Sequence, residues 1–250
     1  MFYTTLCERE AAGWRTWSEL NSMQIQKCSN INFGQNIKTH RQMTLLALKD
    51  NNVLTDIEKN MVSQFVKEPD LIRGELEDFN AGHFYDALSE DPSFGRKNDD
   101  KNNALSKFLY HNGESEKAVM AGNRELALRE AGYAAHYLQD AATPPHVEHG
   151  NYLHKFFRLF MHKDFERGTK FGASSRLPFL TNHYVKEEIP FSNLASLFHN
   201  TALYTVQPEN HVSYSNKRIW PKIQQRTFNR GVNATKAYFD YVFSKLPKKV

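Results

Sequence analysis

Helical hydrophobic patterns run along most of this chain, and they constrain its fold more than any other feature. The strongest pattern lies between Asn123 and Gln139, where leucines and alanines recur at helical intervals and Gly132 alone weakens the signal. A Thr-Pro-Pro segment beginning at Thr143 should end this helix, because a residue that precedes proline avoids helical backbone angles. The alternation that is typical of strands is nearly absent. The sequence therefore predicts an all-α fold with a single helical domain.

Start signals and hydrophobic spacing predict several further helices. Thr39 is a candidate cap for the first of them, and Thr55 with Glu58 forms the pattern of a capping box ahead of a helix through Val66. Segments rich in proline, glycine and polar residues are predicted to be loops. Other predicted helices cover residues 39–49, 70–88, 152–167 and 223–246, and predicted loops cover 92–103 and 169–190.

Composition narrows the class of protein. The 250 residues are 40% hydrophobic and 13% aromatic, which is enough apolar material for a folded core. Lys and Arg outnumber Asp and Glu by 32 to 28, and the net charge of +4 suits phosphate-bearing substrates or anionic membrane surfaces. It is not the dense basic pattern of nucleic-acid-binding proteins. Two cysteines provide no disulfide framework.

The ends and hydropathy of the chain carry little information on its compartment. Residues 1–17 lack the apolar region of a signal peptide. No stretch approaches the ~20 apolar residues that a membrane span needs. We therefore expect a soluble chain, and its localisation stays open.

Two histidine–carboxylate pairs at helical spacing point to chemistry. His136 and Asp140 lie four positions apart, so both project from one face of a helix and can reach a single ion. His162 and Glu166 repeat this spacing, and His146 follows two prolines between the pairs. Imidazole and carboxylate ligands suit zinc, and the lack of thiolates favours a catalytic over a structural site. One such pair alone is usually a solvated helix face, whereas two pairs joined through a proline turn favour a metal site.

This double motif resembles the signature of bacterial zinc-dependent phospholipases C, which form one superfamily with fungal single-strand nucleases. Its first half is the segment 135–146, which ends in Thr-Pro-Pro-His, and its second half is His-Lys-Asp-Phe-Glu at 162–166. Upstream residues that resemble other ligands of the family are His40, Asp70 and His83. The resemblance implies a zinc-dependent phosphoesterase domain over residues 40–250, preceded by an N-terminal extension over residues 1–39.

The family pattern further implies a cleft that holds two or three zinc ions. By this resemblance, one ion would be held by Asp70, His83, His136 and Asp140, and a second by His146, His162 and Glu166. A third would be held by His40, with Asp140 bridging it to the first. Plainer interpretations also exist, since Asp70 could be a helix cap and His40 and His83 could be ordinary core or surface histidines.

Three positions depart from the family pattern. Gln139 stands where the motif usually has glycine. Leu71 stands where an aromatic residue commonly helps to enclose choline, so that position lacks the aromatic face that cation–π recognition requires. The family completes its third zinc site with an N-terminal tryptophan, whereas His40 lies well inside this chain. Processing to a new terminus, a different ligand group or an altered site would each account for this difference.

Hydrolysis of a phosphodiester without an organic cofactor is the predicted activity. Asp70 is expected to be a zinc ligand or the general base that orients the attacking water. The leading prediction is a phospholipase C that acts on phospholipid at a membrane surface. Glu166 favours it, because the related nucleases tend to have aspartate at that position. No stable protein partner is implied, and most members of the family are secreted.

Two alternatives remain open from the sequence. One is a nuclease that cuts single-stranded nucleic acid and stacks bases on some of the 18 Phe and 11 Tyr residues. The other is a non-catalytic helical protein in which the motif binds zinc only to stabilise the fold.

Overall fold

The computed structural model describes residues 36–70, 82–88, 103–147, 177–212 and 218–247 of the chain. All of them belong to one compact unit, Gln35–Val250. Every regular element in this part of the chain is a helix, which confirms the predicted all-α fold. The elements are α1 (Asn36–Ala47), α2 (Asp56–Phe65), α3 (Ala104–Met120), α4 (Arg124–Ala141), α5 (Pro144–Val147), α6 (Leu177–Asn182), α7 (Leu194–Thr205), a 3₁₀ turn (Pro208–Asn210) and α8 (Trp220–Phe243).

The best-supported sequence predictions match the observed helices. Helix α4 begins after Asn123, whose side chain accepts a hydrogen bond from Leu126, and it ends before the two prolines. The predicted C-terminal helix is α8. None of the helices among the described residues is both long enough and apolar enough to span a bilayer. Several predictions fall wholly or partly outside the described residues, namely residues 1–35 of the N-terminal extension, the helix over 152–167, and parts of the predictions for 70–88, 92–103 and 169–190. Residues 36–39 of the predicted extension lie in α1.

Cap chemistry explains where the helices start. The Thr55 backbone N–H donates to the Glu58 carboxylate at 2.9 Å, and the Glu58 N–H donates to the Thr55 hydroxyl at 3.3 Å, so the predicted capping box is present. The prediction for Thr39 is wrong, because α1 begins at Asn36 and Thr39 lies inside it.

Helices α3 and α7, which the sequence patterns do not predict, share another kind of cap. Each follows an asparagine whose side-chain oxygen accepts a 2.8 Å bond from the N–H of a serine three residues later, namely Ser106 and Ser196. The serine hydroxyl bonds back toward the asparagine, as a glutamate does in the usual capping box.

The segment 82–88 is not helical, which corrects the described end of the predicted helix over 70–88. Its backbone groups bond to other elements instead of to one another. The Tyr85 N–H donates to the His146 carbonyl at 3.0 Å, and the Phe84 carbonyl accepts from the Ala104 N–H at 3.0 Å. The predicted loop over 169–190 also contains a short helix, α6.

Helices α3 and α4 form an antiparallel hairpin at the centre of the fold. Gly122 turns the chain between them with φ of 70°, an angle that side chains other than glycine rarely adopt. Hydrogen bonds between the two helices fix their register. The Ser115 hydroxyl donates to the Ala127 carbonyl at 2.9 Å, and one turn further from the Gly122 turn His111 bonds to Glu130 at 2.8 Å. The alanines of α4 are almost fully buried, so neighbouring helices approach its backbone closely.

Aromatic residues from α3, α7 and α8 fill the core beside this hairpin. Phe108 lies 5.5 Å from Phe198 and 5.2 Å from Tyr238, measured between ring centroids. Phe239 continues the cluster along α8, and all four rings are fully buried. Burial of each such ring stabilises the fold by roughly 1.5–3 kcal/mol. Helices α7 and α8 of this core also pack against α4, which carries the candidate site described below.

Candidate metal centre

Histidines and aspartates from separate elements meet against the C-terminal half of α4. The helix contributes His136 and Asp140, and both side chains are essentially inaccessible to solvent. Helix α1 contributes His40 and the turn α5 contributes His146, which are also buried. Two further members of this cluster come from the end of the α2 region and from the segment 82–88, and they are Asp70 and His83.

Asp140 is the common partner of the histidines. The Nε2 atoms of three imidazoles lie close to its carboxylate: His136 at 3.3 Å, His40 at 3.5 Å and His146 at 3.7 Å. His83 approaches through its other nitrogen, Nδ1, which lies 2.8 Å from Asp140 Oδ2. One buried carboxylate therefore faces four imidazoles.

The three histidines that present Nε2 each have Nδ1 bound to a protein oxygen. His40 Nδ1 lies 2.8 Å from Gln139 Oε1, and His136 Nδ1 lies 2.9 Å from the Val66 carbonyl. His146 Nδ1 lies 2.7 Å from the backbone carbonyl of residue 83. A carbonyl oxygen can only accept, so each Nδ1 carries a proton and donates it. This arrangement fixes the tautomer that leaves Nε2 available to a metal.

A second contact group surrounds His136 Nε2. It lies 3.1 Å from His83 Nδ1 and 3.6 Å from Asp70 Oδ1. The side chain of Asp70 is 26% exposed, whereas that of His136 is completely buried. Asp70 is therefore the more exposed of the two described carboxylates in the cluster.

Charge interactions set the protonation of the buried pair. Burial alone lowers the pKa of His136, but the carboxylates of Asp140 and Asp70 outweigh it and raise the pKa to about 9. Burial raises the pKa of Asp140, but the neighbouring His146 and His136 outweigh it and hold the pKa well below its usual value. The pair is thus an imidazolium beside a carboxylate at neutral pH, and a divalent cation can replace the imidazolium proton.

Two groups of side chains within the described residues could each hold a metal ion. One comprises His40, His136 and Asp140, and the other comprises Asp70, His83 and His136. In each group the candidate ligand atoms lie within 4.8 Å of one another. The two groups share His136, so they form a single cluster.

The structure brings together six of the eight residues that the sequence proposes as ligands. They are His40, Asp70, His83, His136, Asp140 and His146. The other two, His162 and Glu166, lie outside the described residues, as does Leu71. That these residues bind a metal stays a prediction.

The sequence does not predict the three oxygen atoms that orient the imidazoles. Two are the backbone carbonyls of Val66 and His83. Every residue has a backbone carbonyl, so the residue type does not indicate which carbonyls face the site. The third is Oε1 of Gln139, which the sequence shows only as a departure from the family motif. Its position directly before Asp140 on the helix was the one signal available.

Comparisons with known proteins add information on the fold. No known sequence family matches the chain, and no curated protein matches it either. The structure is similar to that of the alpha-toxin from Clostridium absonum, with a TM-score of 0.58 and 16% identity over 87% of this chain and 67% of the toxin. It is also similar to the alpha-toxin of an avian strain of Clostridium perfringens, with a TM-score of 0.52 and 16% identity over 86% of this chain and 63% of the toxin.

This chain therefore spans about two thirds of the length of those toxins. At 16% identity the similarity concerns the fold, and the activity is a separate question. The chain has the helical fold of the matched part of these toxins, which agrees with the fold that its motif resemblance implies.

Proposed function

We propose that this protein is a zinc-dependent phosphodiester hydrolase of the phospholipase C type. The observation that carries the proposal is the convergence of three imidazole Nε2 atoms within 3.7 Å of the buried Asp140 carboxylate. Each of these rings is oriented by an oxygen acceptor on Nδ1, as the histidine ligands of metal sites usually are.

The spacing of the ligand atoms fits zinc. Two atoms that each lie about 2.0–2.1 Å from a tetrahedral ion are themselves about 3.3–3.5 Å apart. His136 Nε2 lies 3.1 Å from His83 Nδ1 and 3.3 Å from Asp140 Oδ2, close to that value. The donors are imidazole nitrogens and carboxylate oxygens without a thiolate, which is the set expected of a catalytic zinc site.

The residues that would hold the ions follow from this cluster. His136, His83, Asp70 and Asp140 would hold one ion, and His40 with Asp140 would hold another. His146 would hold a third together with His162 and Glu166. Zinc held by these residues would supply positive charge to the phosphoryl oxygens and would lower the pKa of a water.

The protein's own contribution is orientation and access. Among the described members of the cluster, the four histidines and Asp140 are buried, whereas the side chain of Asp70 is 26% exposed. We propose that the Asp70 carboxylate orients a water or accepts its proton, and the partial exposure of Asp70 and its contact with His136 support this role. Asp140, the other carboxylate among the described candidate ligands, is only 1% exposed.

A phospholipid is the proposed substrate, and no organic cofactor is needed. The fold similarity to two Clostridium alpha-toxins supports it, as does the double histidine motif with glutamate at position 166. In this proposal the chain cleaves the bond between diacylglycerol and the phosphate of the headgroup.

The test is to identify the product. The zinc-loaded full chain is incubated with vesicles that contain phosphatidylcholine, phosphatidylethanolamine and phosphatidylglycerol, and in parallel with single-stranded DNA. We expect diacylglycerol and the headgroup phosphomonoester from the vesicles. Release of acid-soluble nucleotides with intact vesicles would replace the proposal with the nuclease. No product from either substrate, at full zinc occupancy, would leave a zinc-stabilised protein without catalysis.

A further inference from the structure

Gln139 forms a buried bridge between α1 and α4. Its side-chain oxygen lies 2.8 Å from His40 Nδ1, and its side-chain nitrogen donates to the Thr44 hydroxyl at 3.0 Å. Gln139 and Thr44 are fully buried, and His40 is 6% exposed. His40 and Thr44 lie one turn apart on α1, so the amide of Gln139 spans a full turn of that helix.

The two ends of the amide have different consequences for His40. The amide oxygen can only accept a hydrogen bond. Because it faces His40 Nδ1, that nitrogen must carry the proton of the neutral ring, and Nε2 is left unprotonated. The amide nitrogen in the same place would require the opposite tautomer, with the proton on Nε2 directed at Asp140. A metal ligand needs the unprotonated Nε2 that the observed arrangement provides.

Two consecutive residues of α4 therefore contact the two different nitrogens of the His40 ring. Gln139 bonds to Nδ1, while Asp140 Oδ1 lies 3.5 Å from Nε2. The phospholipase C motif that this segment resembles usually has glycine at the position of Gln139, and glycine has no side chain to form this contact. The contact is therefore particular to a chain with glutamine at this position.

We propose that Gln139 is the positioning residue of His40: its amide oxygen holds the proton on Nδ1 and so presents Nε2 to the metal cluster. This inference rests on the proposed zinc site. Gln139 itself lies behind the ring and does not contact substrate.

Two substitutions at position 139 separate orientation from packing. Gln139→Met keeps the length of the side chain but removes the acceptor. Gln139→Glu keeps an oxygen acceptor for His40 and accepts a bond from the Thr44 hydroxyl. Gln224→Met is the matched control, because Gln224 is also a buried glutamine of a long helix but lies in α8, outside the cluster.

The first measurement is the protonation of the His40 ring in the full chain, read by ¹⁵N–¹H NMR of the imidazole before and after zinc is added. The second is zinc affinity, measured by competition with a chromophoric chelator. For Gln139→Met we expect loss of the His40 Nδ1–H signal and about 10–100-fold weaker binding of one zinc ion. Gln139→Glu should retain the signal and the affinity, and Gln224→Met should change neither.

The inference is overturned if the His40 ring in the wild-type chain carries its proton on Nε2. It is also overturned if Gln139→Met leaves both the ring signal and zinc affinity unchanged. A wild-type chain that binds no zinc would contradict the proposed function, and the NMR comparison would still decide the role of Gln139. A chain that hydrolyses phospholipid equally well with methionine at 139, with unchanged zinc affinity, would refute only the positioning role.

Discussion

At the scale of single residues, the candidate site is organised around one ring atom of each histidine. His40, His136 and His146 all direct Nδ1 to an oxygen acceptor and Nε2 to Asp140. A chance meeting of buried histidines would not give three rings the same orientation. The common pattern indicates that the cluster is built to offer Nε2 atoms to one small region.

His136 is the residue whose loss should matter most, because it belongs to both candidate metal groups. We expect His136→Ala to lose bound zinc and hydrolysis together, by more than the 10–100-fold typical of losing a residue that merely orients a ligand. Zinc per chain by mass spectrometry and the diacylglycerol assay check this result, with circular dichroism to verify helix content.

His183→Ala is the matched control for that substitution. His183 is exposed, and its contacts within the described residues include a stack on Phe179 and a hydrogen bond from Gln225, both outside the cluster. Its substitution should leave zinc content and activity unchanged. A His136→Ala chain with full zinc content would remove His136 from the ligand set.

Protonation of the cluster should make the metal-free chain less stable as the pH rises. The pKa of His136 is raised from 6.5 to about 9 in the folded protein. Between these two pH values the folded state therefore binds more protons than the unfolded state. Its stabilising contribution is complete below pH 6.5 and is lost as the pH rises through about 9. Urea unfolding at pH 6.5 and pH 9 measures this difference, and His136→Gln should reduce it. A metal-free chain that grows more stable over that range would contradict the assigned charges.

At this scale, most of the candidate ligands could be predicted from the sequence, whereas the oxygen atoms that accept hydrogen bonds from their Nδ1 atoms could not. Helical spacing correctly predicts that His136 and Asp140 share one face, since that depends on local geometry alone. The partner of His136 Nδ1 is the carbonyl of Val66, and every residue has a carbonyl. Only the packing of α2 against α4 selects this one.

At the scale of helices, close contact between the end of α2 and α4 aligns the site. A Cβ atom at Gly132 would lie 2.7 Å from the Cβ of Phe65 and 3.3 Å from the backbone nitrogen of Val66. Glycine therefore permits an approach that any side chain would prevent. His136 lies one turn beyond Gly132, and the same approach brings the Val66 carbonyl within 2.9 Å of its ring. The residue that weakens the helical pattern in the sequence is needed for the tertiary contact.

Gly132→Ala should consequently loosen both the fold and the site. We expect a loss of about 1–3 kcal/mol in the free energy of unfolding, since the added methyl group overpacks a rigid contact. Zinc affinity should fall as well, because the Val66 carbonyl moves away from His136. Urea unfolding and the chelator competition measure the two effects.

Gly113→Ala is the control for the element-scale prediction. It lies inside α3, and a Cβ atom there would meet nothing within 4 Å. Alanine should stabilise that helix by roughly 0.5–1 kcal/mol with no change in zinc binding. Equal effects of the two substitutions would show that the contact between Gly132 and Phe65 is unimportant.

The sequence predicts the helices that have a clear start signal or a long helical pattern of apolar residues, and it does not predict the others. Helices α4 and α8 have long apolar periods, and α2 has the Thr55–Glu58 box. Helices α3 and α7 begin instead with asparagine and serine, residues that are equally frequent in turns. The segment 82–88 has apolar residues at helical intervals, but the rest of the protein supplies its hydrogen bonds.

At the scale of the whole molecule, residues distant in sequence meet because helices hold them rigidly. His40 and His146 lie at opposite ends of the described cluster in sequence, yet both reach Asp140. The fold persists at 16% identity to the Clostridium alpha-toxins, because buried apolar patterns tolerate many substitutions. Motifs of a few polar residues are a more demanding constraint, and they were the part of the sequence from which the fold family could be inferred.

The most direct test of the central claim is anomalous diffraction from crystals of the zinc-loaded full chain, recorded on both sides of the zinc absorption edge. We predict anomalous peaks about 2.0–2.1 Å from His136 Nε2 and from ring nitrogens and carboxylate oxygens of the residues around Asp140. Zinc peaks elsewhere in the molecule, with His136 and Asp140 still bonded only to each other and to their protein neighbours, would contradict it.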